Sequence, residues 1–192
     1  MAFLNLPNQL TLSRIAVVPL LLALLWLDRQ WSCLLAAGLL ILAGITDVAD
    51  GYLARRERQI TNLGKFLDPL ADKVLICSVL IMLVAMGRVN AWIAILMICR
   101  ELMVTGLRAI AAEAGIIIAA DRYGKLKTIM QFTALVPVMV HYSWLGLPFE
   151  TVGQFLLYMA LALTVFSGWN YFRTFFREQS EKKTTSSCPD EE

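Results

Sequence analysis

The chain has 192 residues, 58% hydrophobic and 17% charged, with a formal net charge of only +2. An ordinary soluble domain is about 45–50% apolar, so the excess points to a membrane protein, and so small a net charge gives no reason to expect nucleic acid as a partner. The cysteines Cys33, Cys77, Cys99 and Cys188 form no CxxC pair and three lie in apolar runs, which argues against a disulfide framework or a structural zinc site.

Crossing the hydrocarbon core takes roughly 20 mostly apolar residues, and several stretches reach that length. Residues 1–13 mix Phe3, Leu4, Leu6, Leu10 and Leu12 with Asn5, Asn8 and Gln9, a pattern suited to a short segment lying in the membrane interface. A first span is expected over 14–27. It is too long for the core of a signal peptide and has no basic segment before it, so it is expected to be retained. Asp28, Arg29 and Gln30 form a polar turn. The second span covers 31–54 and becomes polar in its last two turns; a charged loop follows at 55–63. The third span, 66–86, is polar in its first two turns and ends in a short turn at 87–90. The fourth, 91–112, is interrupted by Arg100, Glu101 and Arg108. A connecting segment at 115–122 leads to the fifth span, 124–144, and Gly146 and Pro148 then mark a turn. The sixth span covers 151–172. From 178 the chain is polar and poor in apolar residues, a composition expected to be disordered.

The expected architecture is therefore all-α: a polytopic membrane domain of six transmembrane helices at 14–177, an interfacial segment at 1–13 and a polar tail at 178–192. Trp31, Trp92, Tyr142 and Trp144 near the span ends suit an aromatic belt, with His141 as an interfacial residue. With six spans, both termini share one side. That side carries Arg14, Arg55, Arg56, Arg58, Lys65, Arg122, Lys125, Lys127, Arg173, Arg177, Lys182 and Lys183, against Arg29 and Arg88 opposite. The asymmetry assigns both termini to the cytoplasm.

Ionisable groups inside spans are costly and tend to mark function. Asp47 and Asp50 are three apart in span two, and Asp68 and Asp72 four apart in span three, so each pair shares a helix face. The short loop between these spans predicts antiparallel neighbours with converging acidic ends. Four carboxylates together repel, and a divalent cation relieves the repulsion. All-carboxylate donors suit Mg²⁺ or Mn²⁺, two of which could be held, and paired ions clamp the attacking and leaving oxygens of phosphoryl transfer. Gly51, Ala54 and Gly64 leave room for a bulky ligand near the backbone, and Arg55 can meet phosphate charge. Two plainer readings stand beside this one. The aspartates could form ordinary pairs with Arg55, Arg56, Arg58 and Lys73, and Gly51 and Gly64 could simply let helices cross closely.

The run Asp47-Val-Ala-Asp50-Gly51-Tyr-Leu-Ala54-Arg55, followed by Gly64, Asp68 and Asp72 at their spacings, resembles the full signature of the CDP-alcohol phosphatidyltransferase family. The resemblance implies six spans, metal held by Asp47, Asp50 and Asp68, and Asp72 completing the site as general base. It implies a cytidine diphosphate cradle of Asp47, Gly51, Ala54, Arg55 and Gly64. Pro7 to Arg14, with Asn8 and Thr11, resembles the opening of the branch that uses a glycerol phosphate acceptor. So do Arg100-Glu101-Leu-Met-Val-Thr105-Gly106-Leu-Arg108 and Gly124-Lys125-Leu-Lys127-Thr128. That branch implies phosphatidyl transfer from CDP-diacylglycerol to sn-glycerol 3-phosphate, a bacterial cytoplasmic (inner) membrane location and a homodimer.

Span four supports a phosphate-bearing acceptor independently. Arg100 and Arg108 are eight apart, about two helical turns, and cations there should face the protein interior. Lys125 and Lys127 join span five from the same side, and converging Arg and Lys suit a phosphate. Arg100 could instead pair with Glu101, and Lys127 could be a surface anchor. Other acceptors in the same family (inositol phosphate, serine or phosphatidylglycerol) and an ion transporter using the acidic cluster are the alternatives.

Overall fold

The computed structural model describes the backbone of residues 6–57, 62–113, 122–142 and 148–186, and the side chains of 14–46, 70–111, 126–142 and 148–178. Among the described residues there are six helices and no strand: α1 Leu6–Trp26, α2 Gln30–Glu57, α3 Asn62–Ala85, α4 Ala91–Glu113, α5 Arg122–Val140 and α6 Phe149–Ser186. Leu- and Ala-rich runs favour this conformation throughout. Pro7 falls in the first turn of α1, where its missing N–H has no intrahelical partner to lose.

Local chemistry sets the ends. Asp28 takes a left-handed φ of 48° between α1 and α2. Ser32 Oγ accepts a hydrogen bond from the Arg29 backbone N–H at 3.1 Å and donates to the Arg29 carbonyl at 2.9 Å, which fixes the start of α2. Gly87, at φ 71°, closes α3. The Arg88 N–H reaches back to the Leu83 carbonyl and the Gly87 N–H to that of Val84, both at 2.9 Å, a termination that favours glycine. Asn90 Oδ1 accepts from the Trp92 N–H at 3.0 Å and caps α4. His141, at φ 57°, ends α5, and its Nδ1 lies 3.6 Å from Glu150 Oε2 on α6.

The three connections described above meet at one end of the bundle. Buried Arg88 pairs with Asp28 and donates from Nη1 to the Met139 carbonyl at 2.8 Å. Gln154 donates to the Arg88 carbonyl, and Tyr142 Oη donates to the Asp28 carbonyl at 3.0 Å. This clasp joins the α1–α2, α3–α4 and α5–α6 corners. It gives His141 and Tyr142 a structural setting beyond the interfacial role expected of them.

Inside, Leu21, Leu25, Leu40, Leu75, Leu80, Leu83, Met97, Leu135, Met139 and Leu157 are fully buried. Helix α1 packs on α2 and α3, α2 on α5, α5 on α6, and α6 on α4, while α3 touches α4 and α5. Helices α5 and α6 approach closely at Gly153: a Cβ there would stand 2.7 Å from both Val138 Cγ2 and the Val138 backbone nitrogen. Outside, Leu35, Ile41, Ile81, Trp92, Leu102, Ile129, Phe155 and Trp169 are exposed. Helices apolar on both the inner and the outer face are those of a bundle solvated by lipid. Among the described residues one helical stretch, Phe149–Glu178, is by itself long and apolar enough to cross a membrane, and shorter apolar helices run over Arg14–Trp26, Gln30–Thr46 and Leu126–Val140.

Two expectations change. Residues 6–13 are not a separate segment but the first turns of α1. The tail expected to be disordered from 178 is helical as far as Ser186; Glu, Gln and Lys are good helix formers, and lengthening an existing helix needs no new nucleus. Helices α2 and α3 were expected to be antiparallel neighbours with converging acidic ends. Helix α1 packs against both of them, and the side chains of the linked ends, 47–69, lie outside the described residues.

Candidate active site

Asp47 and Asp50 lie in the second half of α2, and Asp68 and Asp72 in the first half of α3, so all four aspartates sit on helices at the expected spacings. The side chains of Asp47, Asp50 and Asp68 lie outside the described residues, as do those of Gly51, Ala54, Arg55, Gly64, Asn8, Thr11 and Lys125. Among the described residues no group of three or more potential metal ligands occurs. Asp72 is the member of the motif whose surroundings are described, and it is partly buried.

Its Oδ1 accepts a hydrogen bond from Arg14 Nη1 at 2.8 Å. Arg14 is 5% exposed although it stands on an apolar helix. A charge-assisted bond of this kind orients the carboxylate. The α1–α3 packing carries this contact, because Val18, Leu21 and Leu25 follow Arg14 on the buried side of α1.

Next to Asp72, Lys73 is within electrostatic reach of both Asp72 and Arg108 of α4. Lys127 of α5 is in turn within reach of Lys73 and of Arg100 of α4. Arg108 is within electrostatic reach of Arg100, but it is exposed and not turned inward as expected. Arg100 and Lys127 are both buried. Glu101 is their shared counter-charge: its Oε1 pairs with Lys127 Nζ and lies 3.4 Å from Arg100 Nη1. Arg100 Nη2 donates to Ser167 Oγ on α6 at 2.8 Å, a fully interior bond. The Arg108 guanidinium stands 5.3 Å from the centre of the Tyr171 ring, within cation–π range.

Geometry bears on two of the plainer sequence readings. Arg100 does pair with Glu101, as that reading expected, and Glu101 also pairs with Lys127. Lys127 is not a surface anchor, since it is buried and turned inward. Lys73, weighed in the sequence only as a counter-ion for the aspartates, lies between the acidic and basic groups. Sequence reasoning missed Ser167, Gly168, Tyr171 and buried Gln131. A signal for them exists: Thr164, Ser167, Gly168 and Tyr171 recur at three- and four-residue steps along α6, a stripe of small and polar side chains on an otherwise apolar helix.

The arrangement is a carboxylate held by an arginine, near two buried cations that share one counter-charge, Glu101. Clustered Arg and Lys side chains suit an anionic group. The family model described as CDP-alcohol phosphatidyltransferase matches residues 4–166. The chain belongs to that family. Similar members of the CDP-alcohol phosphatidyltransferase family include the CDP-diacylglycerol--glycerol-3-phosphate 3-phosphatidyltransferase of Bacillus subtilis (strain 168), 41% identical over 88% of this chain and 93% of the relative. The protein of that name from Rickettsia typhi is 38% identical over 88% of this chain and 96% of its own length. That from Pectobacterium atrosepticum is 38% identical over 87% and 92%.

Proposed function

We propose that this chain transfers the phosphatidyl group of CDP-diacylglycerol to sn-glycerol 3-phosphate, giving phosphatidylglycerol phosphate and CMP. The observation that carries the reading is the buried pair Arg100 and Lys127 on Glu101, with Arg108 and Lys73 within electrostatic reach of them. Its charge suits an acceptor that already bears a phosphate, which favours glycerol 3-phosphate over serine. The printed names of the relatives support the same assignment. Inositol phosphate shares the phosphate, so competition between acceptors is the assay that separates the two.

Asp72 takes the proton of the acceptor's primary hydroxyl. The freed oxygen attacks the β-phosphorus of the CDP-lipid, and the bond to the CMP oxygen breaks. Arg14 holds the Asp72 carboxylate in place. Arg100, Arg108 and Lys127 hold the acceptor phosphate, with Lys125 beside them, so that the hydroxyl is presented at one distance; positioning and charge account for most of phosphoryl-transfer catalysis. Asp47, Gly51, Ala54, Arg55 and Gly64 cradle the cytidine diphosphate, and Asn8 and Thr11 belong to the same end of the bundle.

The donor set of Asp47, Asp50, Asp68 and Asp72 is all carboxylate, which suits Mg²⁺ or Mn²⁺, two ions in all. When bound, such ions withdraw charge from the diphosphate and stabilise the departing CMP. The domain of 14–177 crosses a bacterial cytoplasmic membrane six times with both termini in the cytoplasm, and two copies associate. The exposed apolar faces of the helices and the basic residues of the site-bearing end support this topology.

The test is CMP release from CDP-diacylglycerol by purified protein in detergent, with acceptor and metal each present or withheld. Release should require both. Asp72→Asn should retain CDP-lipid binding and lose turnover; near-normal turnover in that variant would refute the base assignment.

A further inference from the structure

Arg100 is held in an unusual way for a phosphate-binding side chain. Nη2 donates to Ser167 at 2.8 Å and Nη1 faces Glu101 at 3.4 Å. Nε is buried and has no hydrogen-bond partner. A buried donor without a partner is costly, and such a group calls for an explanation. The seat on α6 supplies part of it. Gly168 faces the stem of the same arginine: a Cβ on Gly168 would stand 3.1 Å from Arg100 Cγ and 3.2 Å from Nε. The stem cannot easily yield, because the backbone of α4 anchors one end and the Ser167 bond anchors the other.

We propose that Ser167 and Gly168 are positioning residues for the acceptor. Ser167 pins the far end of the Arg100 guanidinium, and Gly168 leaves the stem room to lie flat against α6. Together they fix the unpaired Nε–H as the donor that a phosphate oxygen of the acceptor completes. Helix α6 contributes no catalytic group in this scheme; it sets the angle of one that α4 carries. The inference rests on the acceptor reading given under Proposed function and goes beyond it by assigning two residues of α6 to acceptor recognition.

The spacing supports this division of labour. Tyr171, four residues beyond Ser167, stands against Arg108, which is eight residues beyond Arg100. One face of α6 therefore braces both arginines of α4, one by a hydroxyl and the other by a ring.

The experiment measures KM for glycerol 3-phosphate and for CDP-diacylglycerol separately, in detergent micelles, for Ser167→Ala, Ser167→Thr, Gly168→Ala, Arg100→Ala and the double variant Ser167→Ala/Arg100→Ala. Ser167→Ala and Gly168→Ala should raise the acceptor KM about tenfold, the scale of one hydrogen bond to a charged group, with the CDP-lipid KM unchanged. Ser167→Thr, which keeps the hydroxyl, should stay near wild type. In the Arg100→Ala background, Ser167→Ala should add nothing. Equal changes in both KM values for Ser167→Ala, or additivity with Arg100→Ala, would overturn the proposal and leave the acceptor reading standing. An unchanged acceptor KM in Arg100→Ala alone would overturn the acceptor reading itself.

Discussion

Glu101→Gln is the sharpest probe of the basic pocket, because it removes one charge without changing shape. In the protein as it stands, the Glu101 carboxylate lies between Lys127 Nζ and Arg100 Nη1, and both cations are buried. Stripping one partner from a buried ion pair costs about 3–5 kcal/mol, because the remaining charge is left uncompensated. Glu101 is itself 18% exposed, so the lower end, about 3 kcal/mol, is the appropriate figure. For a chain of this size that lowers the unfolding midpoint by roughly 6 °C or more. The acceptor phosphate supplies the missing negative charge. Glycerol 3-phosphate should therefore stabilise the variant more than it stabilises the wild type, and should bind the variant more tightly. Thermal unfolding in detergent, followed with and without acceptor, reads both effects. An unchanged midpoint would refute Glu101 as the counter-charge. Weaker acceptor binding in the variant would refute the idea that carboxylate and phosphate answer the same electrostatic need.

Two further outcomes concern the framework. Gly153→Ala forces a Cβ to within 2.7 Å of the Val138 backbone, where neither helix can retreat freely, and should cost about 1–3 kcal/mol of stability; a neutral effect on the unfolding midpoint would show that α5 and α6 separate easily. Arg88→Met removes the group that ties Asp28 to the Met139 carbonyl and should cost about 1.5–3 kcal/mol, while both substrate KM values at the opposite end of the bundle stay as they were; a selective rise in either KM would contradict that separation.

Much of the fold could be read from apolar runs and turn residues. The expected spans of 31–54, 66–86 and 91–112 fall within a few residues of α2, α3 and α4, because Gly87 and Asn90 are unambiguous punctuation. Span five was placed too far, to 144, since nothing in the sequence announces that His141 adopts a left-handed φ. Among the candidate residues, the inward placement of Arg100 and Lys127 was legible because a charge in an apolar helix is costly facing lipid; Arg108, expected to turn inward for the same reason, is exposed and lies against Tyr171 instead. Ser167 was not, since a lone hydroxyl in such a helix can satisfy itself on its own backbone. Its role depends on a partner 67 residues away, and only the packing of α4 on α6 reveals it. Arg14 was noticed for its position in a motif. That it grips Asp72 follows from the way α1 lies between α2 and α3, which the lengths of the connections did not disclose.

The length of the last helix has a consequence of its own. Helix α6 has 38 residues, so it measures about 57 Å end to end, nearly twice the ~30 Å of hydrocarbon it has to traverse. The surplus, roughly 25 Å, must stand in the headgroup layer and the water beyond it. It bears Arg173 and Arg177, whose charge suits a layer of anionic headgroups. A chain that makes an anionic lipid would thereby keep a basic post planted among its own products.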